Sequence, residues 1–446
     1  MRALFPVRIP LRPAPWLVLL GLYALLACGP ESAPGDTRSA AGTSDPSRPH
    51  LLMILADDLG YGDLGRLGGA ARTPHLDRLA SESARFTNFY AGAPVCSPSR
   101  ASLLTGLAAP FTGVRQPIQS KRPGNRLRTD VELLPQRLRE VGYRTALVGK
   151  WHLGWESPDL PGDRGFDEFL GFLSQSRYRT ERLLENGSMR PMTGNVTELI
   201  TERACALLEQ AARDEQPLCL IVSHLAPHAP IEEAASFLGE RVAEQQAAGV
   251  PRPEAMYRAV IEHLDEQVDE LLATLERLGL AESTVVVFAS DNGPEAGSAG
   301  PFRGGKWGLY EGGLRVPLTI RWPGHTGASD VDALTTMPDL YPTLLAAAGA
   351  AVPTENGGTP LTGRSLLSLV GDPAAPIDTE RALAWRHGPT EALRRGAWKL
   401  LRARDGSRVE LYDLTRDPGE TSNLAAQRPK VVEELQAELT RLLQGA

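Results

Sequence analysis

The chain has 446 residues, 42% of them hydrophobic and 23% charged, enough for one large domain and a smaller one around sizeable cores. Its 54 acidic and 47 basic residues leave a formal charge of -7. That balance excludes a nucleic-acid binder, which needs a broad basic face, so any anionic substrate has to be captured by a local basic pocket.

Arg2, Arg8 and Arg12 precede an apolar run from Trp16 to Ala27 that is too short to span a bilayer, the pattern of a signal peptide over residues 1–27. Leu25-Leu26-Ala27-Cys28 resembles a bacterial lipobox. It implies cleavage before Cys28, a lipid on that cysteine, and an exported bacterial lipoprotein anchored to a membrane and facing the periplasm or cell surface. An ordinary secreted protein cut nearby is the other reading. Residues 28–49, rich in Ser, Gly, Pro and Ala, then make a flexible tether.

Apolar, branched runs at 51–56, 145–148, 218–222 and 285–289 lack polar alternation and predict buried parallel strands. Between them, Asp130 caps a predicted helix over 131–141, and an apolar stripe predicts a long helix over 255–278. This order predicts an α/β catalytic domain at 50–375, a large, mixed but mostly parallel sheet sandwiched by helices. After about residue 375, short strands at 382–385, 397–402 and 409–412 and an amphipathic helix at 429–443 predict a small α+β domain at 376–446 with an antiparallel sheet.

Two predicted strands end in acids, 51–56 in Asp57-Asp58 and 285–290 in Asp291-Asn292. Singly, each pair reads as a cap or turn. Together they sit beyond carboxyl ends of strands, where open α/β sheets bind ligands, and their oxygens suit Ca²⁺ or Mg²⁺ better than zinc or copper. Cys96-Ser97-Pro98-Ser99-Arg100 opens a predicted helix, which sets side chain 96 near its N-terminal amides. A lone cysteine in an exported chain reads first as half of a disulfide. Cys205 and Cys219, on a predicted helix and strand, are either a disulfide or two buried thiols.

Cys96, Pro98, Arg100 and the ending Leu104-Thr105-Gly106 resemble the signature of type I, formylglycine-dependent sulfatases of the alkaline phosphatase superfamily. The resemblance continues in order through 50–65, 73–90, Gly149-Lys150-Trp151-His152-Leu153-Gly154, 165–171, Ala226-Pro227-His228, 290–293, 305–317 and 411–424. It is greatest toward bacterial arylsulfatases and N-acetylgalactosamine sulfatases. It implies an alkaline phosphatase-like fold and hydrolysis of an aryl or carbohydrate sulfate monoester to alcohol and sulfate. A maturation enzyme would oxidise Cys96 to formylglycine, whose gem-diol is the nucleophile and passes through a covalent sulfo-enzyme intermediate. The diol matters because its second hydroxyl can lose a proton and expel sulfate, whereas a serine would be left as a stable ester. By the same resemblance, Asp57, Asp58, Asp291, Asn292 and the modified residue 96 hold one calcium. Arg100 and Lys150 orient the diol alkoxide, and His152 takes the proton that releases sulfate. Lys306 and His228 bind the ester and protonate the leaving alcohol.

Each side chain also has a plainer reading: Lys150 as a surface charge, His152 as a structural histidine, Lys306 as part of a glycine-shaped turn. His224 reads as structural, and Arg115 and Arg303 as substrate contacts or surface charges. Two other functions compete. One is a phosphonate or phosphate ester hydrolase of the same superfamily, which the sequence separates poorly. The other is a lipoprotein that binds sulfated glycans without cleaving them, which requires a lost catalytic position, and none is lost. The loops at 155–161, 174–195 and 231–253 are expected to set specificity.

Overall fold

The structure is a computed structural model that describes residues 48–119, 124–174, 177–372 and 374–445. The expected signal peptide, Cys28 and nearly all of the tether lie outside the described residues. Among those residues no helix is long and apolar enough to cross a membrane.

One large sheet has ten strands, in the spatial order Ser329–Val331, Ala84–Phe86, Leu318–Arg321, Thr284–Ser290, His50–Ala56, Leu218–Ser223, Arg144–Lys150, Glu168–Phe172, Arg179–Glu185, Ser188–Asn195. The middle five, from Thr284–Ser290 to Glu168–Phe172, are parallel to one another. Antiparallel pairing begins at Leu318–Arg321 on one side and at Arg179–Glu185 on the other. All four expected runs fall in this parallel centre, and the reason is visible in His50–Ala56. Leu51, Met53 and Leu55 enter the core on one face, while Leu52, Ile54 and Ala56 enter the core on the other. A strand covered on both faces has no position for a polar residue. Helices Cys96–Thr105, Leu134–Glu140 and Leu340–Ala347 pack on the first face, and Pro74–Ser81, Val196–Asp214 and Arg252–Arg277 on the second.

A second, four-stranded antiparallel sheet follows in chain order, Ala382–His387, Thr390–Arg395, Trp398–Ala403 and Val409–Asp413. Its Leu393, Leu400 and Leu411 pack on Leu435 and Leu439 of the helix Pro429–Leu442. The opposite side, with Trp385, Leu401 and Tyr412, packs on Tyr90, Leu309 and Leu314 of the preceding part. Within that contact the fully buried Lys399 Nζ donates to Glu311 Oε1 at 2.7 Å and lies 3.6 Å from Glu420 Oε1, and the Tyr90 hydroxyl donates to Glu311 Oε2 at 2.7 Å.

Local expectations change, and the expected loop at 231–253 holds the helices Ile231–Ala235 and Gly239–Ala247. The helix expected at 131–141 begins at Leu134, with Pro135 in its first turn, and Asp130 accepts from Arg128 at 2.9 Å instead of capping it. The stretch 174–195 contains the hairpin Arg179–Glu185 and Ser188–Asn195, whose exposed outer strand carries no apolar alternation. Strand Thr390–Arg395 lies outside the expected elements, because buried Glu391 and Arg394 interrupt its apolar pattern. Cys205 and Cys219 are both free thiols.

Candidate active site

The carboxyl ends of the parallel strands assemble one pocket. His50–Ala56 runs into Asp57 and Asp58, Thr284–Ser290 into Asp291 and Asn292, Arg144–Lys150 into His152, and Leu218–Ser223 into the loop bearing His228. Cys96 opens the helix Cys96–Thr105, and Arg100 follows about one turn later.

Cys96 Sγ lies 3.3 Å from Asp57 Oδ1 and 3.8 Å from Asp58 Oδ1. One donor atom from each of Asp57, Asp58, Cys96 and His228 falls within 4.8 Å of all the others, and all four residues are buried. Lys150 Nζ donates to Asp57 Oδ2 at 2.5 Å, and Lys306 Nζ to Asp58 Oδ2 at 2.6 Å. Arg100 Nε and Nη2 both approach Asp291 Oδ2 at 2.8 Å, while its Nη1 donates to the Lys150 carbonyl at 3.1 Å and to the Ser223 hydroxyl. Three carboxylates thus face three cations. Asp57 is held well below the usual carboxylate range, because although burial opposes its charge, Lys150, His228 and Arg100 outweigh that. Asp291 is pushed up to about 6, first by burial and then by the charge of Asp57. Burial, followed by the Asp57 carboxylate, pushes the Cys96 thiol well up and keeps it neutral.

His228 Nδ1 lies 2.6 Å from the Ala229 carbonyl, which can only accept, so Nδ1 carries a proton and Nε2 faces Asp58 Oδ2 at 3.6 Å. Tyr178 donates its hydroxyl to the His228 carbonyl at 2.8 Å. Both ring nitrogens of His152 are buried without a hydrogen-bond partner among the described residues. Burial, then the charges of Lys150 and Arg100, push its pKa well down, so the ring is neutral. Asp58, His152 and Trp307 have φ of 66°, 60° and 73°, a left-handed backbone that side-chain-bearing residues rarely adopt and that concentrates at functional sites.

The donor set fits a hard cation. Asp57 and Asp58 offer carboxylate oxygens, and the buried Asn292 Oδ1 beside them has no hydrogen-bond partner among the described residues, while Asn292 Nδ2 donates to Asp58 Oδ1 at 2.7 Å. A divalent ion added to a nearly balanced pocket makes it positive, the condition for holding an anion in a chain of net charge -7.

The pocket gathers Cys96, Arg100, Lys150, His152, His228 and Lys306 with Asp57, Asp58, Asp291 and Asn292. Asp291 sits differently from a plain ligand: Arg100 and the Asp58 amide, at 3.2 Å, engage its two oxygens. His228, read as substrate-facing, is inside the close group of four. His224 is fully buried, pushed down to about 3 by burial, and both its ring nitrogens also lack partners among the described residues. Arg303 donates to the Tyr412 hydroxyl and the Glu420 carbonyl and lies over the Tyr310 ring, a packing role. Sequence reasoning missed Ser223 and Tyr178; the position of Ser223 at a strand end was the available signal, and nothing marked Tyr178.

Comparison with known proteins supports the same picture. The sequence profile described as "Sulfatase" matches residues 49–350, and that described as "N-sulphoglucosamine sulphohydrolase, C-terminal" matches 304–445. Mouse (Mus musculus) N-acetylgalactosamine-6-sulfatase is 34% identical over 351 residues, 71% of this chain and 65% of that protein. The chain therefore spans just under two thirds of that relative's length. Human (Homo sapiens) arylsulfatase A is 34% identical over 462 residues, covering 89% of this chain and 88% of that protein. Among solved structures, Ps i-CgsB in complex with k-i-k-neocarrahexaose superposes with a TM-score of 0.79 at 25% identity, covering 89% of this chain and 93% of that one. PsFucS1 sulfatase from Pseudoalteromonas sp. gives a TM-score of 0.74 at 25% identity, over 90% and 92%. With the profile laid over more than half of the sequence and over every strand end that builds the pocket, this chain belongs to the sulfatase family.

Proposed function

We propose that the protein hydrolyses a sulfate monoester of a carbohydrate to the alcohol and sulfate. Its nucleophile-bearing side chain is residue 96, oxidised from cysteine to formylglycine by a maturation enzyme, and its metal is one Ca²⁺. The observation that carries this reading is the meeting of Cys96, Asp57, Asp58 and His228 within 4.8 Å, ringed by Arg100, Lys150 and Lys306. Similarity to an N-acetylgalactosamine-6-sulfatase and to a protein solved with k-i-k-neocarrahexaose supports a carbohydrate substrate.

Asp57, Asp58, Asp291 and Asn292 would hold the calcium, which when bound supplies positive charge against the sulfate oxygens. The chain's own groups do the rest. Lys306, tied to Asp58 and 3.4 Å from Glu295, keeps N–H capacity for a sulfate oxygen. His228 turns Nε2 into the pocket, where, once protonated, it donates to the departing alcohol. Lys150 and Arg100 place fixed positive charge beside side chain 96 and orient its oxygen. His152, neutral and unpartnered, takes a proton from side chain 96 as sulfate departs. Export and a lipid on Cys28, supported by the lipobox-like sequence alone, would carry the enzyme to sulfated polysaccharide outside the cytoplasm.

The test is to express the chain with a formylglycine-generating enzyme, weigh the tryptic peptide containing residue 96, and measure sulfate release with and without calcium. Conversion with calcium-dependent release, lost in Cys96→Ala, supports the reading. Full conversion with no release from any sulfate ester rejects it, and turnover of a phosphonate or phosphate ester would then replace it.

A further inference from the structure

Beside the pocket, the loop that follows the helix Cys96–Thr105 and the turn between the first two strands of the C-terminal sheet enclose a second cavity of about 250 Å³. Pro98, two residues from Cys96, forms one wall, and Arg115, Gln116, Arg386, His387 and Arg404 line others; among the described residues no acidic side chain does. The His387 ring lies 6.1 Å from that of Trp307, the neighbour of Lys306, and the Trp307 amide donates to the Pro94 carbonyl at 2.9 Å. The cavity therefore flanks the Cys96 centre on the side of the sulfate-facing lysine.

Its described lining carries three arginines and no carboxylate. Arg386, Arg402 and Arg404 all approach the carboxylate of buried Glu391, at 2.8, 2.7 and 3.9 Å, and Arg402 is turned away toward Thr440 of the C-terminal helix, to which it donates at 3.0 Å. Arg115 forms no ion pair with a described residue. Its loop is nonetheless shaped: Asn125 Oδ1 accepts from the amides of Arg115 at 2.8 Å and Gln116 at 3.1 Å. Three guanidiniums around an acid-free hollow, in a chain of net charge -7, form a local anion receptor, and guanidinium matches the planar or tetrahedral oxygens of carboxylate and sulfate. The volume lies just under the usual range for a whole small-molecule pocket and suits a single substituted sugar ring.

We infer that this cavity is a second anion subsite, which binds a sulfate or carboxylate on the ring next to the one whose ester is cleaved. The substrate class is then a polyanionic glycan rather than an isolated sulfate ester. This rests on the sulfatase reading above.

The test is the double variant Arg115→Ala/Arg404→Ala, chosen because both side chains are exposed and Arg404 stands 3.9 Å from Glu391, whereas Arg386 hydrogen-bonds that buried carboxylate at 2.8 Å. Matured wild type and variant are compared on 4-nitrophenyl sulfate, a monosulfated neutral disaccharide, the same disaccharide with a second sulfate, and one with a uronate. The variant should stay within about twofold on the first two and lose roughly tenfold or more in kcat/KM on a dianionic substrate. The arm that suffers names the group. In parallel, calorimetric binding to Cys96→Ala protein should favour a dianionic disaccharide by about tenfold, a preference the two arginine changes erase. Equal losses on all substrates, or an unchanged binding preference, overturn the subsite. If fully converted wild type releases no sulfate from any ester, the sulfatase reading fails, and the calorimetry still decides the subsite.

Discussion

Replacing Lys399 by methionine removes a charge from the seam between the two sheets while nearly keeping its volume. Lys399 and Glu311 are both wholly unexposed, and their charged atoms lie 2.7 Å apart. Burial alone would push the Glu311 pKa up; Lys399 and Arg315 overcome that and hold it below its ordinary value. Without Lys399, Glu311 keeps, among the described residues, Arg315 at 3.6 Å and the Tyr90 hydroxyl at 2.7 Å. Removing one partner of a buried ion pair costs about 3–5 kcal/mol, which for a unit this large lowers the Tm by roughly 5 °C. Because the folded pKa of Glu311 lies below the unfolded one, its stabilising contribution is present above the ordinary value of 4.5 and is lost as pH falls through the folded value. The gap in Tm between wild type and variant should therefore be wide at about pH 7 and narrow at about pH 4. Circular dichroism melts at both pH values measure it. A shift below about 1 °C at neutral pH, or an equal gap at both, refutes the reasoning.

Other outcomes follow from the same structure. Calcium added to chelator-treated protein should raise the Tm, by the equivalent of about 2.7 kcal/mol at a hundredfold excess over Kd, and Asp58→Asn should blunt the rise; no rise with calcium or magnesium sinks the metal assignment. Glu420 is pushed up to about 7, chiefly by burial, so its contribution is present below the ordinary value of 4.5 and lost as pH rises through about 7. Glu420→Gln should flatten the fall of Tm across that window, and an unaltered profile would contradict this. His152→Asn should leave the Tm unchanged or higher while sulfate release drops about 10²–10⁴-fold, the usual worth of a positioned proton acceptor; retained turnover would remove His152 from the mechanism.

The parallel centre of the sheet was legible because a strand buried on both faces must be written in apolar residues, as at 51–56 and 285–289. The acids that follow those strands were legible for a related reason, since strand ends in such sheets point into one crevice. Elements hidden from pattern are those stabilised by charge. Thr390–Arg395 buries Glu391 among three arginines, and Ser188–Asn195 is a polar edge strand without a core face. The pocket's wiring was also illegible: that Arg100 rather than solvent holds Asp291, or that His228 reaches Asp58, depends on contacts between positions 191 and 170 residues apart, which spacing in the chain does not record.

The left-handed backbone at His152 has a consequence for anyone redesigning this protein. His152 adopts a conformation that asparagine or glycine adopts more readily, and it buries two ring nitrogens that no group among the described residues satisfies, so the fold bears both costs there. A library selected for heat resistance alone should drift at position 152 toward residues that relieve them, at the expense of the proton acceptor proposed there. If His152 has the role proposed for it, selection on turnover and selection on endurance point in opposite directions at this one position, and a thermostable version has to be built with residue 152 held fixed.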